Sequence, residues 1–119
     1  LDPSVRASIG AARARGITVI VVTGRRLSEL RRVAGDLRFA DGVIAENGAV
    51  LHFPDSGHTS LLAPPLSPVF AAEVQRRGLH VGIGESLVDA GAVDAPQLLG
   101  IIRTLEVPLV LLFNSGRVM

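Results

Sequence analysis

The stretch ITVIVVTGR, residues 17–25, decides the fold of this chain. Its first six residues are almost entirely apolar, and they do not alternate with polar residues. A continuous apolar, β-branched run of this kind is typical of a strand that is buried on both faces of a parallel sheet. We therefore predict a central strand over 17–22, followed by a tight turn at Thr23-Gly24-Arg25.

The segments on either side of this strand predict alternating helices and strands. Asp2-Pro3 combines a capping carboxylate with a proline at the first helical position, so a helix is expected from there to about Arg15. Apolar residues at three- and four-residue steps predict a second helix over 27–37, and a second short strand is expected over 42–45. This order is typical of a doubly wound α/β sheet, in which ligands bind beyond the carboxyl ends of the strands.

The rest of the chain predicts a hairpin and then a smaller module. Two β-prone segments, 49–53 and 59–62, flank a cluster of turn residues. Beyond Pro64-Pro65 the pattern predicts helices over 67–77 and 94–105, an extended segment over 79–88, a strand over 109–113 and a turn at Asn114-Ser115-Gly116. We therefore predict a partial Rossmann-like parallel-sheet core with a hairpin over 1–63, and a small α+β domain over 64–119.

Length and composition bound the possible functions. The chain has 119 residues, of which 48% are hydrophobic and 19% charged, and this composition excludes an intrinsically disordered protein. It contains no cysteine and no lysine, so thiolate chemistry, Cys-ligated zinc and lysine bases are excluded within these residues. Its apolar runs are too short to cross a bilayer. We expect a cytoplasmic protein without membrane contact.

Charge is unevenly distributed along the chain. Residues 1–38 carry eight arginines against three acidic residues, a net +5, whereas residues 39–119 carry four against eight, a net −4. A basic first third is compatible with a regulator that binds phosphates or nucleic acid. The i,i+4 spacings of Arg25 with Glu29 and of Arg32 with Asp36 predict helical ion pairs instead. Because the chain has no Tyr or Trp to stack on bases, the composition argues against nucleic acid.

Two polar clusters follow predicted strands and are the candidate functional residues. At Thr23-Gly24-Arg25, a hydroxyl, a glycine N–H and the positive end of the next helix suit a phosphoryl group, to which Arg25 adds a charge-assisted contact. Glu46-Asn47-Gly48 brings a carboxylate and an amide to the same edge of the sheet. On spacing alone, each cluster is also compatible with an ordinary turn.

The three histidines give no metal site. His52, His58 and His80 lack the spacing of metal ligands. Isolated histidines on a hairpin are expected at the surface, so the sequence predicts no metal-binding residue.

The segment from Gly16 to Arg25, followed by a helix and then by Glu46-Asn47-Gly48-Ala49, resembles the haloacid dehalogenase-like hydrolase superfamily. The likeness is to its sugar-phosphatase-like branch, which has an inserted cap domain, and it covers essentially the whole chain. It implies that residues 2–62 are part of the catalytic core and that residues 64–113 are a short cap. It further implies hydrolysis of a phosphate ester through an aspartyl-phosphate, with Mg²⁺ bridging phosphate and carboxylates.

The resemblance also implies roles for individual residues. Thr23 matches the family's second motif and is the candidate catalytic residue, because the hydroxyl in this motif holds the transferring phosphoryl oxygens. Gly24 would lend its N–H to the same site, and Arg25 and Asn47 would line the pocket for phosphate and substrate. The expected substrate is a small phosphorylated metabolite, a sugar phosphate, which the cap would select.

Other motifs of the family have no match here. The nucleophile motif, two aspartates one residue apart, is expected before Leu1, and the phosphate-clamping lysine and the acidic metal motif are expected after Met119. We therefore expect a fragment that is inactive alone, whose strand over 17–22 needs a missing core segment or an oligomer contact beside it. The alternative is a non-catalytic module of the same fold that binds a phosphorylated ligand or docks a partner.

Overall fold

The computed structural model describes residues 2–114 and 117–119, and the chain divides into two units, residues 1–64 and 65–119. Each unit has its own cluster of buried apolar side chains. Among the described residues, no helix is both long enough and apolar enough to cross a membrane.

The first unit contains two helices and a four-stranded sheet. Its elements are α1 (Pro3–Ala14), β1 (Ile20–Val22), α2 (Leu27–Ala34), β2 (Gly42–Ala45), β3 (Val50–Phe53) and β4 (His58–Leu61). The strand order is β1-β2-β3-β4, in which β1 and β2 are parallel and the other pairs antiparallel. The first unit therefore contains the expected strand-helix-strand succession and the expected hairpin.

The prediction of a central, doubly buried strand over 17–22 is wrong. Of residues 17–22, only 20–22 form a strand, which is β1. This strand lies at the edge of the sheet and pairs only with β2 among the described strands. Ile20 and Val22 are 46% and 72% exposed, and Val21 alone of this strand packs on the buried cluster. Side-chain chemistry favours the extended conformation, but burial requires neighbours on both sides, which the described residues do not supply.

Helix α2 is shorter than the sequence predicts. It ends before Gly35, whose positive φ of 74° breaks the helical conformation. Asp36 consequently lies outside the helix and accepts the Arg38 N–H at 2.7 Å. The predicted ion pair between Arg32 and Asp36 is therefore wrong, and Arg32 lies instead 3.9 Å from the Glu29 carboxylate.

One face of the first sheet is covered by α2 and the loop after it. Apolar side chains of α2 and this loop pack on alternate residues of β2 and β3, and the buried cluster is Leu27, Leu30, Ala34, Leu37, Val43, Ala45 and Val50. Residues two apart along a strand share a face, so Val43 and Ala45 both point to this side. The packing fixes α2 against the sheet beside the carboxyl end of β1.

The second unit also pairs helices with a four-stranded sheet. Its elements are α3 (Pro68–Arg76), β5 (Val81–Ile83), β6 (Val88–Gly91), α4 (Ala95–Leu105), β7 (Phe113–Asn114) and β8 (Arg117–Val118). The strand order is β5-β6-β8-β7, with every pair antiparallel. Phe70 and Val74 of α3 pack with Ile101 of α4 in its core.

The predicted strand over 109–113 is wrong for residues 109–112. Strand pairing begins only at Phe113, although the Leu112 N–H and C=O both hydrogen-bond to Met119. Leu109 and Leu111 pack on the core of the unit, so the apolar run reflects packing and not a sheet ladder. Ser115 and Gly116 of the predicted turn lie outside the described residues.

Candidate functional site

The carboxyl ends of β1 and β2 bring the two predicted clusters together. The Thr23 N–H donates to the Ile44 C=O at 2.9 Å and continues the parallel pairing. The Asn47 N–H donates to the Thr23 C=O at 3.4 Å, and the Glu46 N–H donates to the Arg25 C=O at 2.9 Å. Backbone hydrogen bonds thus join the two clusters into one structure, which we call the rim and define as residues 23–25, 46 and 47.

The Thr23 hydroxyl is oriented by the turn that follows β1. The Arg25 N–H donates to Thr23 Oγ1 at 3.1 Å, and Thr23 is half-buried. A hydroxyl can accept and donate at the same time, so this contact positions the oxygen and leaves its hydrogen to donate elsewhere. The turn therefore presents a positioned hydroxyl donor at the end of a strand.

The Arg25 side chain is engaged away from the rim backbone. Its Nη1 lies 2.9 Å from Glu29 Oε1, which confirms the predicted i,i+4 ion pair. The same carboxylate also lies 3.7 Å from Arg26 and 3.9 Å from Arg32. The Arg25 side chain is 52% exposed, so it can reorient. In this structure its backbone is part of the rim, while its guanidinium pairs with Glu29 of α2.

The last two residues of the rim and the glycine that follows them have left-handed backbone conformations. Glu46, Asn47 and Gly48 have φ values of 52°, 57° and 96°. Asparagine and glycine tolerate this region, but a glutamate there costs about 1–2 kcal/mol. Glu46 is also only 2% exposed, so a buried carboxylate stands at the end of β2. Strained backbone of this kind concentrates at functional sites.

The described residues do not form a magnesium site at the rim. They contain no group of three or more His, Asp or Glu side chains arranged to hold an ion. The rim itself has a single carboxylate, that of Glu46, and it is buried. The Mg²⁺ implied by the resemblance therefore does not fit these residues, and no step below is derived through it.

His52 is a buried polar residue, so the prediction that it lies at the surface is wrong. It is 4% exposed because it lies two residues after Val50 and shares the sheet face that α2 covers. This two-residue spacing is visible in the sequence, and it is the signal that could have identified the residue.

The hydrogen bonds of His52 determine its protonation. Its Nε2 lies 3.1 Å from Arg31 Nη2, and its Nδ1 lies 2.7 Å from Thr59 Oγ1. A guanidinium can only donate, so Nε2 accepts and Nδ1 carries the hydrogen that is donated to Thr59. Burial lowers the pKa of His52, and the positive charge of Arg31 and the neighbouring His58 lower it further. His52 is therefore neutral at pH 7.

Comparison with known proteins places the chain in a family. The model of the haloacid dehalogenase-like hydrolase family matches residues 1–74, a segment that includes the whole rim. No curated protein matches the chain. A crystal structure of a trehalose-6-phosphate phosphatase related protein is similar, with a TM-score of 0.65 and 18% sequence identity, covering 99% of this chain and 56% of that one.

A second solved structure, the trehalose-6-phosphate phosphatase of Aspergillus fumigatus, is more distant. It has a TM-score of 0.39 and 17% identity, covering 95% of this chain and 48% of that one. The chain thus spans about half the length of both proteins. The first similarity confirms the mixed α/β fold. Because the family match extends over more than half of its residues, the chain belongs to the haloacid dehalogenase-like hydrolases.

Proposed function

We propose that the protein containing this chain hydrolyses a phosphate ester of a small metabolite, with a sugar phosphate as the substrate class. Family membership and the fold shared with a trehalose-6-phosphate phosphatase related protein support this proposal. The observation that carries it is the Thr23 hydroxyl, which the Arg25 N–H positions at the carboxyl end of β1. The rim then serves as the phosphate-binding part of the active site.

Each rim residue has a role in this proposal. During transfer, charge spreads over the three equatorial oxygens of the phosphoryl group, so fixed donors stabilise the transition state. Thr23 donates its hydroxyl hydrogen to one of these oxygens, and the Gly24 N–H donates to another. Asn47 contributes its amide, and Arg25 contributes its guanidinium by turning from Glu29 towards the substrate.

The covalent step is proposed to pass through an aspartyl-phosphate. A carboxylate oxygen attacks phosphorus, the P–O ester bond breaks, and the leaving alkoxide takes up a proton from solvent, which the attacking water of the next step returns. Water then attacks the phosphorus, releasing inorganic phosphate and restoring the carboxylate. Aspartates with described contacts are engaged elsewhere. Asp2, Asp36 and Asp41 accept backbone N–H groups of Ser4, Arg38 and Val19 at 2.8, 2.7 and 2.7 Å, and Asp55 and Asp89 pair with Arg13 and Arg117.

Two further parts of the proposal follow from this. The 119 residues alone are expected to be inactive, because none of the contacts described at the rim supplies a nucleophilic aspartate. We assign residues 65–119 the role of a cap that selects the substrate, because they form a separate unit with its own core. Substrate selection and phosphate binding would then belong to different units of the chain.

The test is phosphate release from a panel of sugar phosphates by the full-length protein. Thr23→Ala removes a transition-state donor and should lower turnover by about 100-fold, whereas Thr23→Ser keeps the hydroxyl and should retain most of it. Thr18→Ala is the matched control, because it removes an exposed threonine hydroxyl of the same stretch outside the rim. Unchanged turnover in Thr23→Ala would remove Thr23 from the active site. Binding of sugar phosphates without any release would indicate the non-catalytic module instead.

A further inference from the structure

A groove with charged side chains in its lining lies in the first unit, at the amino end of β2. Its volume is about 540 Å³, within the usual range of about 300–1,000 Å³ for small-molecule sites. It is lined by residues from four parts of the unit: Arg31 of α2, Asp36 and Arg38 of the loop that follows, His52 of β3 and Pro54 of the hairpin turn. We call it the α2–hairpin groove.

We infer that the α2–hairpin groove is a second anion site, which binds the phosphate group of a small molecule through Arg31 and Arg38. It is separate from the rim. The ligand is a phosphorylated metabolite or free phosphate, and no chemistry is performed on it there.

The first argument is the way in which Arg31 is held. Its Nη2 donates to Nε2 of His52, which is buried and is itself fixed by Thr59. This neutral partner orients the guanidinium without balancing its charge. In the part of the chain that the structure describes, Arg31 pairs with no carboxylate. An oriented guanidinium with uncompensated charge and further N–H groups is suited to bind a phosphate.

The second argument is the position of Arg38. Its N–H donates to Asp36 Oδ1 at 2.7 Å, and its C=O accepts Arg13 Nη1 at 2.6 Å, so its backbone is held on both sides. Its side chain is exposed and forms no ion pair within residues 2–114 and 117–119. The groove therefore has two guanidinium groups on fixed backbone that can approach one phosphate from different directions.

The third argument is the net charge around the groove. Arg6 donates to the Ala34 C=O, directly before the lining residue Gly35, and adds a third cation to Arg31 and Arg38. Asp36 is the carboxylate that opposes them, and its Oδ1 already accepts a backbone N–H. The lining itself carries two arginines against one aspartate, a net charge of +1, and the nearby Asp41 and Asp55 are paired with Arg13, so the groove attracts a phosphate anion.

The groove and the rim lie at opposite ends of β2. In the hairpin register, His52 pairs with Val43 near the start of β2, whereas Val50 pairs with Ala45 at its end. The groove therefore lies towards the amino end of this strand, and the rim follows its carboxyl end. A phosphate in the groove would not contact Thr23, so its binding can be measured whether or not the proposed phosphatase function holds.

The test is titration of the ¹⁵N-labelled full-length protein with inorganic phosphate, at constant ionic strength, followed by amide chemical shifts. We expect saturable shifts at residues 35–38 and 52–57. Arg31→Gln and Arg38→Gln should each raise the dissociation constant from these shifts about tenfold, the usual loss for one charge-assisted contact. Arg32→Gln is the matched control, because its side chain is 74% exposed and does not line the groove. It should leave the constant unchanged, as should Thr23→Ala.

Three results would overturn the inference. They are the absence of saturable shifts at these amides, equal affinity in Arg38→Gln and Arg32→Gln, and shifts of the same size with acetate, which would show no preference for phosphate. Arg38→Gln leaves the contact between Arg31 and His52 intact, so it decides the test if Arg31→Gln fails to fold.

Discussion

Asn47 shows how a single residue can combine backbone and side-chain roles. It lies in the left-handed region, with φ 57° and ψ 32°, inside the turn that joins β2 to β3. Its N–H donates to the Thr23 C=O, and its amide is proposed to face the substrate. The two roles can be separated because glycine adopts the same backbone freely and alanine does not.

We predict that Asn47→Ala is less stable than Asn47→Gly by about 1 kcal/mol in urea unfolding. Both variants lose the amide, so the difference between them reports the left-handed backbone penalty of alanine, offset in part by the larger backbone entropy of glycine in the unfolded chain. Both should also weaken substrate binding to a similar extent. Equal stability of the two variants would show that the turn does not need a left-handed residue at this position.

The sequence predicts the rim better than it predicts the surroundings of His52. Thr23 and Asn47 each follow a strand, and parallel strands end at the same edge, so their proximity depends on local patterns alone. The contact of His52 with Arg31 instead requires α2 to pack over β3. No local sequence pattern predicts this packing. The Val50 to His52 spacing indicates which face the histidine occupies, but not what covers that face.

At the scale of elements, α2 is attached to the hairpin by the Arg31, His52 and Thr59 contacts as well as by apolar packing. The imidazole must be neutral to accept from Arg31. Its folded-state pKa lies below the ordinary value of 6.5. The unfolded chain therefore binds a proton more readily, and stability present above about pH 6.5 is lost as the pH falls below it.

We predict that the free energy of unfolding of the full-length protein decreases between pH 7.5 and pH 5.5 in urea titrations. His52→Phe removes the titrating group and should flatten this dependence, whereas Thr18→Ala, which changes an exposed residue that does not titrate, should leave it unchanged. Asp41, whose pKa is lowered by the Val19 N–H and Arg13, titrates only below its ordinary value of 3.8 and does not interfere. A pH dependence that persists in His52→Phe would contradict the assignment.

The sequence predicts best those helices whose first residues include a capping side chain. Helix α1 begins at the Asp2-Pro3 cap, and α3 begins where Ser67 Oγ accepts the Phe70 N–H at 3.4 Å. Two of the failures, burial of β1 and a strand over 109–112, concern apolar runs whose environment is set by distant parts of the chain, whereas the shorter α2 reflects the break at Gly35. The composition of an apolar run favours an extended conformation, but it does not specify the strand or side chains that the run will pack against.

At the scale of the whole molecule, the chain has two cores and not one. Val43 is fully buried in the first unit, and Ile101 is fully buried in the second. Each cluster draws its buried side chains from its own unit. A substitution that removes packing in one core should therefore destabilise mainly the unit that contains it.

We predict that Ile101→Ala lowers stability by about 2–5 kcal/mol and speeds amide hydrogen exchange mainly in residues 65–119. Val43→Ala removes less volume, costs about 2 kcal/mol, and should speed exchange mainly in residues 2–64. Mass spectrometry of exchanged peptides distinguishes the two patterns. Equal acceleration in both units by either substitution would show that they unfold together.

The division after Pro64 has an evolutionary consequence. Within these residues the chain passes from one unit to the other once, between Pro64 and Pro65, and neither cluster of buried side chains spans that bond. A substitution within one cluster can therefore be compensated by substitutions in the same cluster, and the two clusters can diverge in sequence at different rates. If the second unit selects the substrate and the rim binds phosphate, as proposed, selection for a new substrate would act on one cluster and leave the other unchanged.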